Sequence, residues 1–275
     1  MHFLVTNDDG IDSVFLRELI SALAVAGHRL SIVAPKHEQS WIGAAKSRNR
    51  PVHATTADRG FGFPTWIVDG TPSDCINIAL GHLLANGSSP GEAGSESKLL
   101  DPIDGVLSGI NIGMNASLGF VIASGTIAGA WEGALHGLPS VAFSQDLTGE
   151  LFDRVRVRSG LVDEPLLAVL KTSAQHAARL APELIRATAE RSFIVHNINF
   201  PLRCHSDTAV RRTVPARVVV PGLFSPAADD GTHRLVFRLG DDLSPAGLLT
   251  DRAALANGFI SHTILDYTRL GVEGA

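Results

Sequence analysis

The sequence predicts an α/β protein: a Rossmann-like, doubly wound and mostly parallel sheet, followed by a β-rich C-terminal extension. Three observations predict it. Short apolar runs alternate with helix-period segments over the first 145 residues. The opening strand–helix–strand order, His2 to Ala34, implies a right-handed crossover between parallel strands. A 275-residue chain that is 45% hydrophobic and 19% charged can bury a sizeable core, which excludes a disordered polymer.

His2–Thr6 reads as a buried strand and Asn7–Asp12 as turn chemistry. Phe15, Leu16, Leu19, Ile20 and Leu23 then recur at helical spacing, with Gly27 as a C-terminal cap. Leu30–Ala34 is a second buried strand, stopped by Pro35. Trp66–Val68 is the next. Ser73 is placed to cap a helix carrying Ile76, Ala79, Leu80, Leu83 and Leu84. Asn86–Ser97, rich in Gly, Ser and Glu, reads as a mobile surface loop. Ile103–Leu107 is a strand, Thr126–His136 a helix closed by Gly137, and Val141–Phe143 a strand. Pro165 opens a helix to about Leu180, with Pro182 interrupting it or opening the next. Phe193–Asn197, Ala216–Val220, Arg234–Leu239 and Phe259–Leu265 read as strands. There is no internal repeat and no clear linker. The expected organisation is one domain over 1–275, with a core at about 1–200 and an extension at about 201–275 that serves oligomerisation.

Charge and special residues narrow the function. The net charge is −5 and the pI about 6.1, with no long basic run, so nucleic-acid polymers and acidic membrane surfaces are not expected as partners. Two distant cysteines, Cys75 and Cys204, suit free thiols in a reducing compartment. No C-x-x-C or H-E-x-x-H occurs, which disfavours a thiolate zinc site or a zincin. Met1–Val5 turns polar by Asn7 and no run of 18 apolar residues follows, so neither a leader nor a membrane span is expected, and the location is expected to be cytoplasmic.

Ligands of open α/β sheets bind beyond the carboxyl ends of the strands. That rule selects the loops at 7–12, 35–48 and 108–125 and the turn after Phe143. Asp8 and Asp9 are adjacent carboxylates whose repulsion a hard divalent cation offsets well; the same residues also suit an Asx turn with solvated acids. Asn111 and Asn115 offer neutral oxygens among Gly109 and Gly113, or simply line a long turn. Ser124-Gly125-Thr126 opens a helix, a phosphate cradle or an ordinary cap. The loop Pro35–Ser40 adds Ser40, Lys36 and Glu38.

Together these segments resemble the SurE, or survival protein E, family of metal-dependent nucleotidases. The matching stretches are T-N-D-D-G at 6–10, A-P at 34–35 leading to Ser40, G-T-P-S-D-C at 70–75 and S-G-I-N-x-G-x-N at 108–115. S-G-T at 124–126 with E-G at 132–133, G-x-P-S at 137–140, N-I-N-x-P at 197–201, Thr250-Asp251 and G-F-I-S at 258–261 match as well. The resemblance implies one divalent cation per subunit, Mg2+ or Mn2+, on Asp8, Asp9, Ser40 and Asn111. It implies hydrolysis of nucleoside monophosphates to nucleoside and phosphate, in a homodimer or homotetramer. On that reading Asp8 or Asp9 is the catalytic acid–base group, and Asn115, Ser124, Gly125 and Thr126 hold the phosphate. Two stretches depart from the family pattern. The small-residue loop after Ser40 is here Trp41-Ile42-Gly43-Ala44-Ala45-Lys46-Ser47, and Ala116–Ala123 is one residue longer and lacks an acid.

Three other readings compete. The fold can carry a degenerate, non-catalytic nucleotide- or metal-binding protein, or a broad phosphomonoesterase with a non-nucleotide substrate. An aspartyl-phosphate phosphatase with Asp8 as nucleophile ranks below these, because the alternating D-x-D is absent.

Overall fold

The structure, a computed structural model, describes residues 1–84, 102–157, 162–236 and 240–270. Its centre is a nine-stranded sheet. In chain order the strands are β1 (His2–Thr6), β2 (Arg29–Pro35), β3 (Ala54–Thr56), β4 (Thr65–Val68), β5 (Gly105–Ile112), β6 (Ser140–Gln145), β7 (Ile194–Phe200), β8 (Val210–Thr213) and, after a separate two-stranded ribbon of β9 (Val218–Val219) with β10 (Asp241–Asp242), β11 (Ile260–Asp266). The spatial order is β3-β4-β2-β1-β5-β6-β7-β11-β8. Strands β4 to β7 run parallel, and β3 and β11 pair antiparallel with their neighbours β4 and β7. The mostly parallel α/β class is therefore as expected, and residues 210–213 and 260–266 of the C-terminal segment add strands to this same sheet.

Helices cover both faces, and β1 shows why. Its side chains alternate across the sheet: Phe3 and Val5 join one apolar cluster, Leu4 another. The first cluster is closed by α1 (Val14–Val25), through Phe15, Leu16, Leu19, Ile20 and Leu23, and by α6 (Glu164–Ala187). The second is closed by α2 (Pro72–Ile78), with Cys75 and Ile76. The helix α4 (Gly125–Leu135) lies beside α2 with Gly129 and Gly133 against the sheet; a Cβ at Gly133 would stand 2.5 Å from Val106 and 2.6 Å from Ser140. Short helices α3 (Leu118–Ala123), α5 (Gly149–Val157) and α7 (Asp251–Ala256) complete the set.

Several expectations change. The cap of α2 is Thr71 and not Ser73, which lies inside the helix. Thr71 accepts from the Asp74 N–H at 3.1 Å and the Asp74 carboxylate accepts from the Thr71 N–H at 2.9 Å, a reciprocal capping box. Helix α6 runs unbroken through Pro182. An interior proline costs about 3 kcal/mol, and burial of Leu180 and Ile185, about 1.5–3 kcal/mol each, offsets it. Strand β5 extends from Gly105 to Ile112, past the expected end at Leu107, and carries a register shift against β6 between Ser108 and Asn111. The strand expected at Ala216–Val220 shrinks to Val218–Val219. Of Arg234–Leu239, residues 237–239 lie outside the described residues and the remainder contributes a single bridge, Phe224 to Leu235. The loop expected at Asn86–Ser97 also lies outside the described residues.

Candidate active site

Strands β2, β1, β5 and β6 stand side by side, so the loops at their carboxyl ends share one edge of the sheet. Asn7 opens the first loop: its side-chain N–H donates to the Gly10 carbonyl at 2.9 Å, an Asx-type closure. Gly10 adopts φ +91°, and a Cβ there would stand 3.3 Å from the His37 backbone, so glycine lets the first and second loops meet.

Asp8 and Asp9 point into that meeting place from different sides. The Asp8 carboxylate accepts a short hydrogen bond from the Thr126 hydroxyl at the start of α4, and the Asp8 carbonyl accepts from the Gln39 N–H at 2.7 Å. The Asp9 carboxylate accepts from the Ile112 N–H at 3.0 Å. Asp8 thus adjoins the residue before Ser40, and Asp9 adjoins the residue after Asn111. Ser40 is exposed, its N–H donating to Glu38 at 3.0 Å; Asn111 is buried, its side-chain N–H donating to the Gly113 carbonyl at 2.8 Å. The strand irregularity at Ser108–Asn111, with Gly109 at φ +127°, re-aims the end of β5 toward Asp9.

The residues expected to hold phosphate lie on the same edge. Gly125 begins α4 against Asp8: a Cβ there would be 2.8 Å from the Asp8 Cβ and 3.2 Å from the Gln39 carbonyl. Ser124 caps α4 by accepting from the Ile127 N–H at 3.0 Å, which leaves its own hydroxyl proton to donate. The Thr126 hydroxyl is already engaged by Asp8. Asn115 is fixed from three directions. Its N–H donates to Asn199 at 2.7 Å, its carbonyl accepts from Asn197 at 2.8 Å, and its side chain donates to Ser144 at 2.9 Å.

Burial pushes the Asp8 carboxyl up to about 6, against the Thr126 hydrogen bond that favours its charged form. Burial, and then the Asp8 charge, push Asp9 well above the usual carboxylate range. Among the described residues no ion pair reaches either acid. Lys46, on the loop after Ser40, is paired with Glu132, whose other oxygen accepts from Asn77 at 2.8 Å. A buried Asp8 and a half-buried Asp9, with no ion pair among the described residues, share the sheet edge with a hydroxyl and a carboxamide and form an oxygen-only donor set. That set fits a hard divalent ion. Among the described residues no group of three or more His, Cys, Asp or Glu offers an alternative metal centre.

The sequence reading marks the supports only as family motif positions and gives them no role. Asn197 and Asn199 occupy alternate positions of β7, so both face the Asn115 loop, and the N-x-N spacing in a buried strand is their signal. Asp251 accepts from the Ser117 N–H at 2.8 Å and the Ala216 N–H at 2.9 Å, tying the Asn115 loop to the C-terminal segment. Glu132 and Asp74 hold the loop after Ser40 through Lys46 and the Ser47 N–H; only the family motif marked them.

The family described as Survival protein SurE matches residues 3–219. The chain belongs to the SurE family. A protein named 5'-nucleotidase SurE from Nostoc sp. is 39% identical over 146 residues, 52% of this chain and 49% of that one. The Thermus thermophilus protein named 5'-nucleotidase SurE 1 is 37% identical over 206 residues, 73% of this chain and 66% of its own length. This SurE chain thus spans about half to two-thirds of those relatives in its match. With 5'-nucleotidase SurE from Solidesulfovibrio magneticus the identity is 32% over 97% of this chain and 92% of the relative. The crystal structure of the SurE protein from Aquifex aeolicus superposes with a TM-score of 0.69 over 97% of this chain and 93% of that one; at 24% identity it speaks for the fold.

Proposed function

We propose that this SurE protein is a divalent-metal-dependent phosphatase that hydrolyses nucleoside monophosphates to nucleoside and phosphate. The observation that carries the reading is the adjacent pair of buried Asp8 and half-buried Asp9, with no ion pair to either among the described residues, Asp8 set against the first turn of α4. The names of the relatives, 5'-nucleotidase SurE, support the reaction class.

Asp8 and Asp9 would hold Mg2+ or Mn2+ with Ser40 and Asn111 as neutral oxygen donors. The bound ion offsets charge on the phosphoryl group and acidifies a neighbouring water. The chain's own groups do the rest. Asp8 or Asp9 orients the attacking water and takes its proton; Thr126 fixes the Asp8 carboxylate for that task through its hydroxyl. Asn115, the Ser124 hydroxyl and the Gly125 and Thr126 N–H groups hold the remaining phosphoryl oxygens, where the α4 dipole favours negative charge. Water's oxygen bonds to phosphorus, the ester P–O bond breaks, and the nucleoside leaves with a proton.

The chain is read as one domain whose residues 201–275 take part in a homodimer or homotetramer, because this segment exposes Val219, Phe224 and Leu243. Buried free thiols at Cys75 and Cys204 support a reducing, cytoplasmic setting. Among the described residues no helix is long and apolar enough to cross a membrane.

Phosphate release from AMP with Mn2+, and its loss with chelator, tests the reading. Release of phosphate from simple esters but not from nucleotides would make the protein a broad phosphomonoesterase. No metal-dependent release from any monophosphate would leave a binding protein.

A further inference from the structure

Beside the acidic pair, two stretches that depart from the family pattern touch each other. Trp41 follows Ser40 directly, and its ring lies 5.4 Å from that of Phe120, tilted by 51°. The Gly43 N–H donates to the Ala123 carbonyl at 2.9 Å, so the loop after Ser40 is fastened to α3 at the backbone as well. The pair sits close to the reaction centre by connectivity. Gln39 bonds to Asp8, and Trp41 is two residues on, within about 7 Å along an extended backbone. Phe120 lies on the helix that leads into Ser124 and Gly125.

Trp41 differs from the other tryptophans. Trp66 is buried at 7% exposure, and Trp131 is covered by Tyr267 at 3.8 Å between ring centres. Trp41 keeps 41% of its surface exposed. It also holds φ +63°, a left-handed conformation that bulky residues rarely adopt and that a small or polar residue would take more easily. A strained, half-open indole braced from behind is a poor device for burying apolar area. It is a good one for presenting a flat π-face at a fixed place.

We propose that Trp41, braced by Phe120, is a stacking face for the base of the nucleotide substrate and makes the enzyme prefer nucleotides to phosphate esters that lack a base. This rests on the phosphatase reading above and names the part of the substrate that lies outside the phosphate site. A base has two π-faces and few directional demands, so the proposal expects tolerance among bases rather than selection of one.

The test compares AMP with ribose 5-phosphate, the same ester without its base, in the full-length protein with Mn2+. Trp41→Ala should raise KM for AMP roughly tenfold, the scale of one base stacked on one aromatic ring. It should leave kcat for AMP and the KM for ribose 5-phosphate within about twofold, and Trp41→Phe should restore most of the AMP affinity. Equal losses on both substrates would overturn the proposal and make the ring a mere anchor for the Ser40 loop; so would an unchanged KM for AMP. A second readout does not need hydrolysis. Adenosine should quench the tryptophan fluorescence of the wild-type protein and not that of Trp41→Phe, and equal quenching in both would overturn the proposal. If wild type hydrolyses neither ester, the phosphatase reading fails, while the adenosine titration still decides the role of Trp41.

Discussion

Asp8, buried, and Asp9, half-buried, place two adjacent acids at the end of β1; burial pushes both toward the neutral form, and the Asp8 charge pushes Asp9 further. Such a pair lowers the stability of the metal-free protein and is retained for what it binds. Replacing Asp9 by Asn removes one charge and keeps the shape. Turnover of AMP under saturating Mn2+ should fall by about 10²–10⁴-fold, the scale of losing a positioned acid–base group. The metal-free variant should melt at the same temperature as wild type or a few degrees higher, by about 2–4 °C per kcal/mol relieved. Retention of wild-type turnover would remove Asp9 from the mechanism. At this scale the candidate acids were legible in the sequence, because adjacent carboxylates at a strand end are a local signal. Two assignments changed meaning in three dimensions. The Thr126 hydroxyl serves Asp8, and Asn115 is held by asparagines 82 and 84 residues away, partners that no local pattern names.

At the element scale, β7 and β11 carry a histidine pair at a distance from the acids. The ring nitrogens of His196 and His262 meet at 2.9 Å, Thr188 bonds the far side of His196 at 2.7 Å, and Arg212 lies 3.4 Å from His262. Burial first, with the Arg212 charge and, for His262, the neighbouring His196, pushes both rings down to about 4 from the ordinary 6.5. The folded rings are therefore neutral where the unfolded chain binds protons. Stability from the pair is present above 6.5 and is lost as pH falls toward about 4. The loss by about pH 5 is roughly 2 kcal/mol per ring before solvent screening reduces it. The melting temperature should drop between about pH 7 and pH 5, and His262→Gln should flatten that slope. An unchanged slope would show that the pair is protonated alike in both states. Element positions were mostly readable from periodicity, and the misplaced ends have physical causes. The Pro182 boundary yielded to packing of α6, and β5 ran on because Gly109 lets the strand kink without ending.

At the scale of the whole molecule, the segment 214–249 stands out by exposing apolar side chains. Phe224 is 60% exposed, Leu243 64% and Val219 56%. Scattered single residues would need no partner, but several on one segment are what the assembly proposal rests on. Light scattering of the wild-type chain should give a dimer or tetramer mass, and Phe224→Asp with Leu243→Asp should lower it. A monomeric wild type would end the assembly proposal. A change in mass without a change in AMP turnover would show that each subunit carries a complete site.

Composition, periodicity and turn chemistry by themselves determined the α/β class, the order of the early strands and helices, and the acids at the end of β1, since each depends on neighbours a few residues apart. Only the tertiary structure decided which strands adjoin, and hence that the loops after β1, β2 and β5 share one edge with the first turn of α4. It alone brought Asp251 to Ser117, Asn199 to Asn115 and Trp41 to Phe120. Such contacts arise from burial and hydrogen-bond satisfaction across long chain separations, and a pattern with a period of two or 3.6 residues holds no record of them.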